Sequence, residues 1–151
     1  MDAMVNFSRL VFIRMLTVLD FLSPLFQLAL RFYVAIIFFK SGLTKIQDFS
    51  STIALFETEY KVPFISPTFA AYSGTAAELI LPGLLVVGLA TRPTAIALFV
   101  FNIVACIAYP DISEAGIKDH LMWGTILLVT VFYGPGRLSV DHFLKQRYGT
   151  L

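Results

Sequence analysis

Four stretches of this chain are apolar for long enough to cross a lipid bilayer, and no other feature constrains its fold as much. They cover residues 24–46, 67–89, 93–109 and 117–133, each close to the roughly 20 residues that an α-helix needs to span about 30 Å of hydrocarbon. A chain of 151 residues cannot hide four such segments from water in a soluble core. Composition agrees: 14% of the residues are charged and 58% hydrophobic, where soluble domains carry about 25% charged residues. The mean hydropathy is +0.81.

Local signals mark where the helices begin. Ser23-Pro24 and Ser66-Pro67 each set a serine cap before a proline, whose missing N–H matters least in a first helical turn, and Thr91-Arg92-Pro93 is a weaker version. Pro110, Ser113 and Gly116 separate the last two spans, and Gly134-Pro135-Gly136 ends the fourth. Residues 50–60 are too short to span and predict an outer interfacial helix or a cap over the bundle. Before Pro24, the residues Asp2, Asn6, Arg9, Thr17 and Asp20 fall on one side of a helix, with apolar residues around the rest. Residues 1–23 therefore predict an amphipathic interfacial helix. A signal peptide is the rival reading, but charges continue through Arg14 and Asp20 and no small-residue cleavage site precedes Pro24. The fold class is all-α: an integral membrane four-helix bundle with an N-terminal amphipathic interfacial helix, and 142–151 as a cytoplasmic tail.

Orientation is read from the basic residues near the ends of the spans. With both termini cytoplasmic, the inner side holds Arg9, Arg14, Arg92, Arg137, Lys145 and Arg147, and the outer side Lys45, Lys61 and Lys118 among several acids. A net charge of +1 without a polybasic block argues against nucleic acid as a partner. The single cysteine, Cys106, excludes an intrachain disulfide and a CxxC dithiol relay. No phosphate-binding glycine loop, HExxH or nucleophile elbow is present. The two histidines, His120 and His142, fall on opposite sides of the membrane, which argues against a two-histidine metal or haem site.

The charges inside the spans carry the functional question. Arginine in hydrocarbon is costly unless it snorkels or is paired. Counting about 1.5 Å per residue from Pro24 and from the inner end of the second helix puts Arg31 within reach of Glu78, and predicts that these two pair. Asn102 falls at a similar depth, His120 and Trp123 sit at the outer end of the fourth span, and Lys45 returns to the Arg31 face. Arg31, Lys45, Glu78, Asn102 and His120 are thus candidates to line one polar cleft. The plainer alternatives are a structural Arg31–Glu78 ion pair, Lys40 and Lys45 snorkelling to the outer interface, an Asn102 that only bridges helices, a packing Cys106 and a satisfied interfacial His120.

The first span reads Arg31-(x3)-Ala35-(x2)-Phe38-(x3)-Gly42-(x2)-Lys45. The second carries Glu78, then Pro82-Gly83, then Gly88-Leu89-Ala90-Thr91-Arg92-Pro93, and the fourth ends in Gly134-Pro135-Gly136-Arg137-Leu138-Ser139-Val140-Asp141. Over about 24–141 this resembles the DoxX family of small four-helix bacterial membrane proteins, with Ala35 standing where the family usually has glycine. The resemblance implies a multi-pass protein of the bacterial inner membrane, similar to the membrane subunit of thiosulfate:quinone oxidoreductase, with quinone as the cofactor that the cleft would take. It further implies a soluble or membrane redox partner, or a second copy of the chain, beside the lipid. A noncatalytic membrane anchor for a soluble enzyme is the competing reading, and a small-solute permease a third.

Overall fold

The two Ser-Pro pairs behave differently. In the computed structural model, which describes residues 2–149 and the side chains of 7–149, Ser66 caps a helix by accepting from the Phe69 N–H, and Pro67 is its first residue. Ser23 caps nothing. A single helix, α1 (Asp2–Gln47), runs through Pro24, and the Ser23 hydroxyl accepts from the side chain of Gln27. The helix start expected at Ser23-Pro24 is therefore corrected. An internal proline removes one backbone hydrogen bond, and here leucines, phenylalanines and methionines on its N-terminal side keep the helix going. At 1.5 Å per residue α1 is about 69 Å long, more than twice the hydrocarbon thickness. Residues 7–23 are exposed on every side, so the bundle engages only the C-terminal half of α1.

The other elements lie close to where the sequence puts them. They are α2 (Phe49–Thr58), α3 (Pro67–Val87), α4 (Thr91–Ala108), α5 (Glu114–Tyr133) and α6 (Val140–Tyr148). Four helices, α1, α3, α4 and α5, are long and apolar enough to cross a membrane. Asp48, Ser113 and Ser139 cap α2, α5 and α6 through their side chains, and the Ser113 cap starts α5 earlier than 117. The segment expected as a tail contributes most of α6.

α1 packs along α3, and α4 along α5; α3 against α4 and α1 against α5 close the bundle. Its centre is Val34, Ala35, Phe38, Leu85, Ala95, Leu98 and Leu127. The buried α1 positions, Arg31, Val34, Ala35, Phe38 and Gly42, recur every three or four residues along one face. Gly42 lets the helices approach: a Cβ there would lie 2.9 Å from Leu79 Cδ2 and 3.0 Å from Glu78 Cβ. At that same end, α2 rests on α3 through Phe56, Ala70 and Ala71, and the Lys61 N–H donates to the Ala108 carbonyl at 2.7 Å. One end of the bundle is thus covered by α2 and the other carries α6.

Candidate functional site

The five candidate residues separate into two clusters at opposite ends of the bundle. Lys45 and Glu78 form an ion pair at 2.7 Å, with Lys45 Nζ also 2.8 Å from Glu78 Oε1 and from Ser41 Oγ. Ser41 in turn donates to Glu78 Oε1 at 3.0 Å. The Glu78 side chain is 7% exposed and that of Lys45 18%, so the pair is largely withdrawn from solvent. This overturns the expected Arg31–Glu78 pair and the snorkelling Lys45. Gly42 is the α1 residue level with Glu78, and the climb from residue 31 to residue 42 is about 16 Å, beyond an arginine's reach.

Arg31 is level with the far end of α3 instead. Its guanidinium donates to the Leu85 carbonyl at 3.2 Å and to the Leu138 carbonyl, and it is 1% exposed. It lies against Gly88, where φ is +73° and a Cβ would overlap Arg31 and Ser139. Asp141, on α6, caps α4 from outside: its carboxylate accepts from the Ala90 N–H at 2.8 Å and from the Thr91 N–H and hydroxyl at 2.7 Å each. The Asp141 N–H returns a bond to the Gly88 carbonyl at 2.9 Å. Burial works to raise the Asp141 pKa, but the Thr91 and Ala90 hydrogen bonds, aided by the charge of Arg31, outweigh it and hold the carboxyl below its ordinary value. The segments 88–93 and 134–141 therefore meet in a clasp over Arg31, which ties α1 to α3 and to the segment before α6, while Asp141 ties α6 to α4. Asp141 as a cap across fifty residues has no local sequence signal.

A cavity of about 650 Å³ opens at the α2 end, with Lys45, Ser41, Glu78 and His120 in its lining. Arg31 and Asn102 are not on its surface. Asn102 stands behind His120, donating from Nδ2 to the His120 carbonyl at 2.9 Å, with Oδ1 2.8 Å from His120 Nδ1. The remaining wall is apolar and aromatic, including Phe38, Phe56, Phe101 and Trp123, with Tyr60 and Tyr109 adding hydroxyls. Trp123 meets Phe38 edge-on at 6.0 Å and His120 at 4.9 Å. Tyr60 stacks at a tilt on Tyr109 at 5.5 Å. Burial, then the nearby charge of Glu78, raises the Tyr60 pKa, keeping its hydroxyl protonated. Sequence reasoning passed over Ser41, Tyr60 and Tyr109. Ser41 could have been found from its i, i+4 spacing to Lys45, whereas the tyrosines reach the cavity only because the α2–α3 loop and the end of α4 converge.

A bundle of four membrane-length helices, closed at one end by a short helix and at the other by a buried-arginine clasp, is the class of protein these features define. The sequence profile of the DoxX family matches residues 26–110, and the chain belongs to that family. A protein of Haemophilus influenzae, described as uncharacterized, is 32% identical over 131 residues, covering 82% of this chain and 85% of that one. No solved structure matches. The matched region contains α2, α3 and α4, most of the bundle-engaged half of α1, and the residues Arg31, Lys45, Glu78 and Asn102. His120 and the 134–141 segment lie beyond it.

Proposed function

We propose that this DoxX protein is a membrane-embedded, redox-associated subunit whose cavity at the α2 end binds a quinone head group. The observation that carries the reading is the cavity itself. Ligand pockets of about 300–1,000 Å³ with apolar walls and a few convergent polar groups suit a drug-sized ring system, and this one sets a withdrawn Lys45–Glu78 pair and His120 among aromatic side chains. A charged pair away from water is weak support for stability alone, and ionisable groups within membrane helices more often mark ligand or proton sites. The setting we propose is the bacterial inner membrane with both termini cytoplasmic. Arg92, Arg137, Lys145 and Arg147 gather at the α6 end, and Glu57, Glu59, Asp111, Glu114 and Asp119 at the α2 end.

The reading is tested by extracting the purified full chain and analysing bound small molecules by mass spectrometry. Quinone should co-purify with the wild type and be lost from Glu78→Gln while that variant stays folded. A Glu78→Gln protein that retains its quinone, or a wild type that carries none and takes up none when supplied with it, rejects the site.

One observation favours the anchor reading as a second. Phe7, Phe12, Phe21 and Phe26 of α1 are each more than half exposed, and residues 7–23 are exposed throughout. The interfacial position expected for residues 1–23 would bury these side chains among lipid headgroups and acyl chains, and a partner protein would bury them equally. Partner capture in mild detergent that is abolished by deleting residues 1–20, with Glu78→Gln silent, would select the anchor.

A further inference from the structure

The hydrogen bonds around the cavity determine which protons its polar groups have left to offer. The His120 backbone carbonyl only accepts, so the Asn102 amide must present its nitrogen there, at 2.9 Å. That leaves Asn102 Oδ1, also only an acceptor, against His120 Nδ1 at 2.8 Å. Nδ1 therefore carries the proton, and in the neutral ring the free lone pair is on Nε2. Elsewhere in the lining, Lys45 Nζ directs its protons to Ser41 Oγ and to both Glu78 oxygens, and the Ser41 hydroxyl donates to Glu78 Oε1. An ammonium has three protons and a hydroxyl one. All of them are used inside the cluster, while the carboxylate keeps lone pairs to spare. Trp123 lines the cavity with its indole N–H buried and unpartnered. The hydroxyls of Tyr60, Tyr109 and Ser113, which donate or accept as required, line the rest of the cavity.

We infer that the polar part of the cavity, Glu78 and His120, presents acceptors and selects the hydroxyl-bearing, reduced form of its ring ligand, a hydroquinone, over the carbonyl form. His120 Nε2 is the acceptor, and Asn102 is the positioning residue that sets its tautomer. This rests on the reading of the cavity as a quinone-type site and names the form it takes. A ring hydroxyl donates to Nε2 or to Glu78. A ring carbonyl in the same place sets lone pair against lone pair and leaves a desolvated acceptor unpaired, which is penalised more than a hydrogen bond is rewarded. A difference of that size corresponds to about tenfold in affinity.

The test uses the full chain in detergent, without oxygen, titrated calorimetrically with 2-methyl-1,4-naphthohydroquinone and with the corresponding quinone. The hydroquinone should bind about tenfold more tightly. Asn102→Leu should bring the two affinities together. A ¹⁵N spectrum of histidine-labelled wild type supplies a readout that a purely structural Asn102 would not move. The resonances lost in His120→Phe should be pyrrole-type at Nδ1 and pyridine-type at Nε2. A protonated Nε2, or a quinone bound as tightly as the hydroquinone, overturns the inference and leaves the cavity reading standing; binding of neither form overturns both. Should Asn102→Leu not fold, the wild-type affinities and the ¹⁵N assignment decide alone.

Discussion

Lys45 and Glu78 act as one unit, and their energetics follow from how little water reaches them. Removing either partner leaves the other charge in an apolar surround, which for a buried pair costs about 3 kcal/mol, whereas neutralising both leaves no such charge. We expect Lys45→Met and Glu78→Leu each to lower the unfolding temperature in detergent by more than the double variant does, and losses that simply add would rule out direct coupling. Asp141 is a different kind of residue, a cap held in place by tertiary structure. Its folded pKa is depressed, so its stabilisation is complete above the ordinary carboxylate value of about 4 and is lost as pH falls through the lower folded value. Asp48, brought down to about 2 first by hydrogen bonds from the Ser50 and Ser51 side chains, acts in the same direction. The comparison that isolates Asp141 is therefore wild type against Asp141→Asn. The variant should lose about 1–2 kcal/mol at neutral pH, typical of a lost helix cap, and fall less steeply between pH 5 and pH 3. Parallel pH curves would count against the clasp.

Among the elements, the contact between α1 and α3 is the tightest point, and two glycines on it and near it make a controlled pair. A Cβ at Gly42 would press on Leu79 and Glu78, while one at Gly83 meets nothing within 4 Å. Gly42→Val should therefore cost about 2 kcal/mol by overpacking and displace Glu78 from Lys45. Gly83→Ala should be neutral or add up to about 1 kcal/mol through helix propensity. Equal effects at the two positions would mean that α1 and α3 do not meet at Gly42. The elements themselves were largely legible in the sequence, because length, apolarity and serine caps are local properties. The exception at Ser23-Pro24 is instructive beside Ser66-Pro67. Pro63 and the left-handed Phe64, with φ +69°, break the chain ahead of the second pair, whereas no glycine or proline interrupts the residues before the first. The dipeptide marks a helix start only when something upstream prevents a helix.

For the whole molecule, the alternation of α1, α3, α4 and α5 leaves the α2 end and the α6 end on opposite sides, and the proposed orientation puts α6 in the cytoplasm. In a Cys106→Ala background, cysteines placed at Ser113 and at Gln146 should be labelled by an impermeant reagent from opposite faces, Ser113 from outside. Labelling of Ser113 only from the cytoplasm would invert the topology. The sequence by itself determined that the chain is a four-span helical bundle, where its spans lie, apart from the start of the first, and which polar residues they carry, because hydropathy, helix period and caps are set by neighbours along the chain. It did not determine which of those polar residues meet. Pairing depends on how far α1 slides along α3, and that offset is fixed by close packing at Gly42 and Gly88. A shift of about 16 Å in reference level, the height from Arg31 to Gly42, moved Glu78 from Arg31 to Lys45. Only the tertiary structure could decide it, because packing between helices, and not composition within them, sets their register.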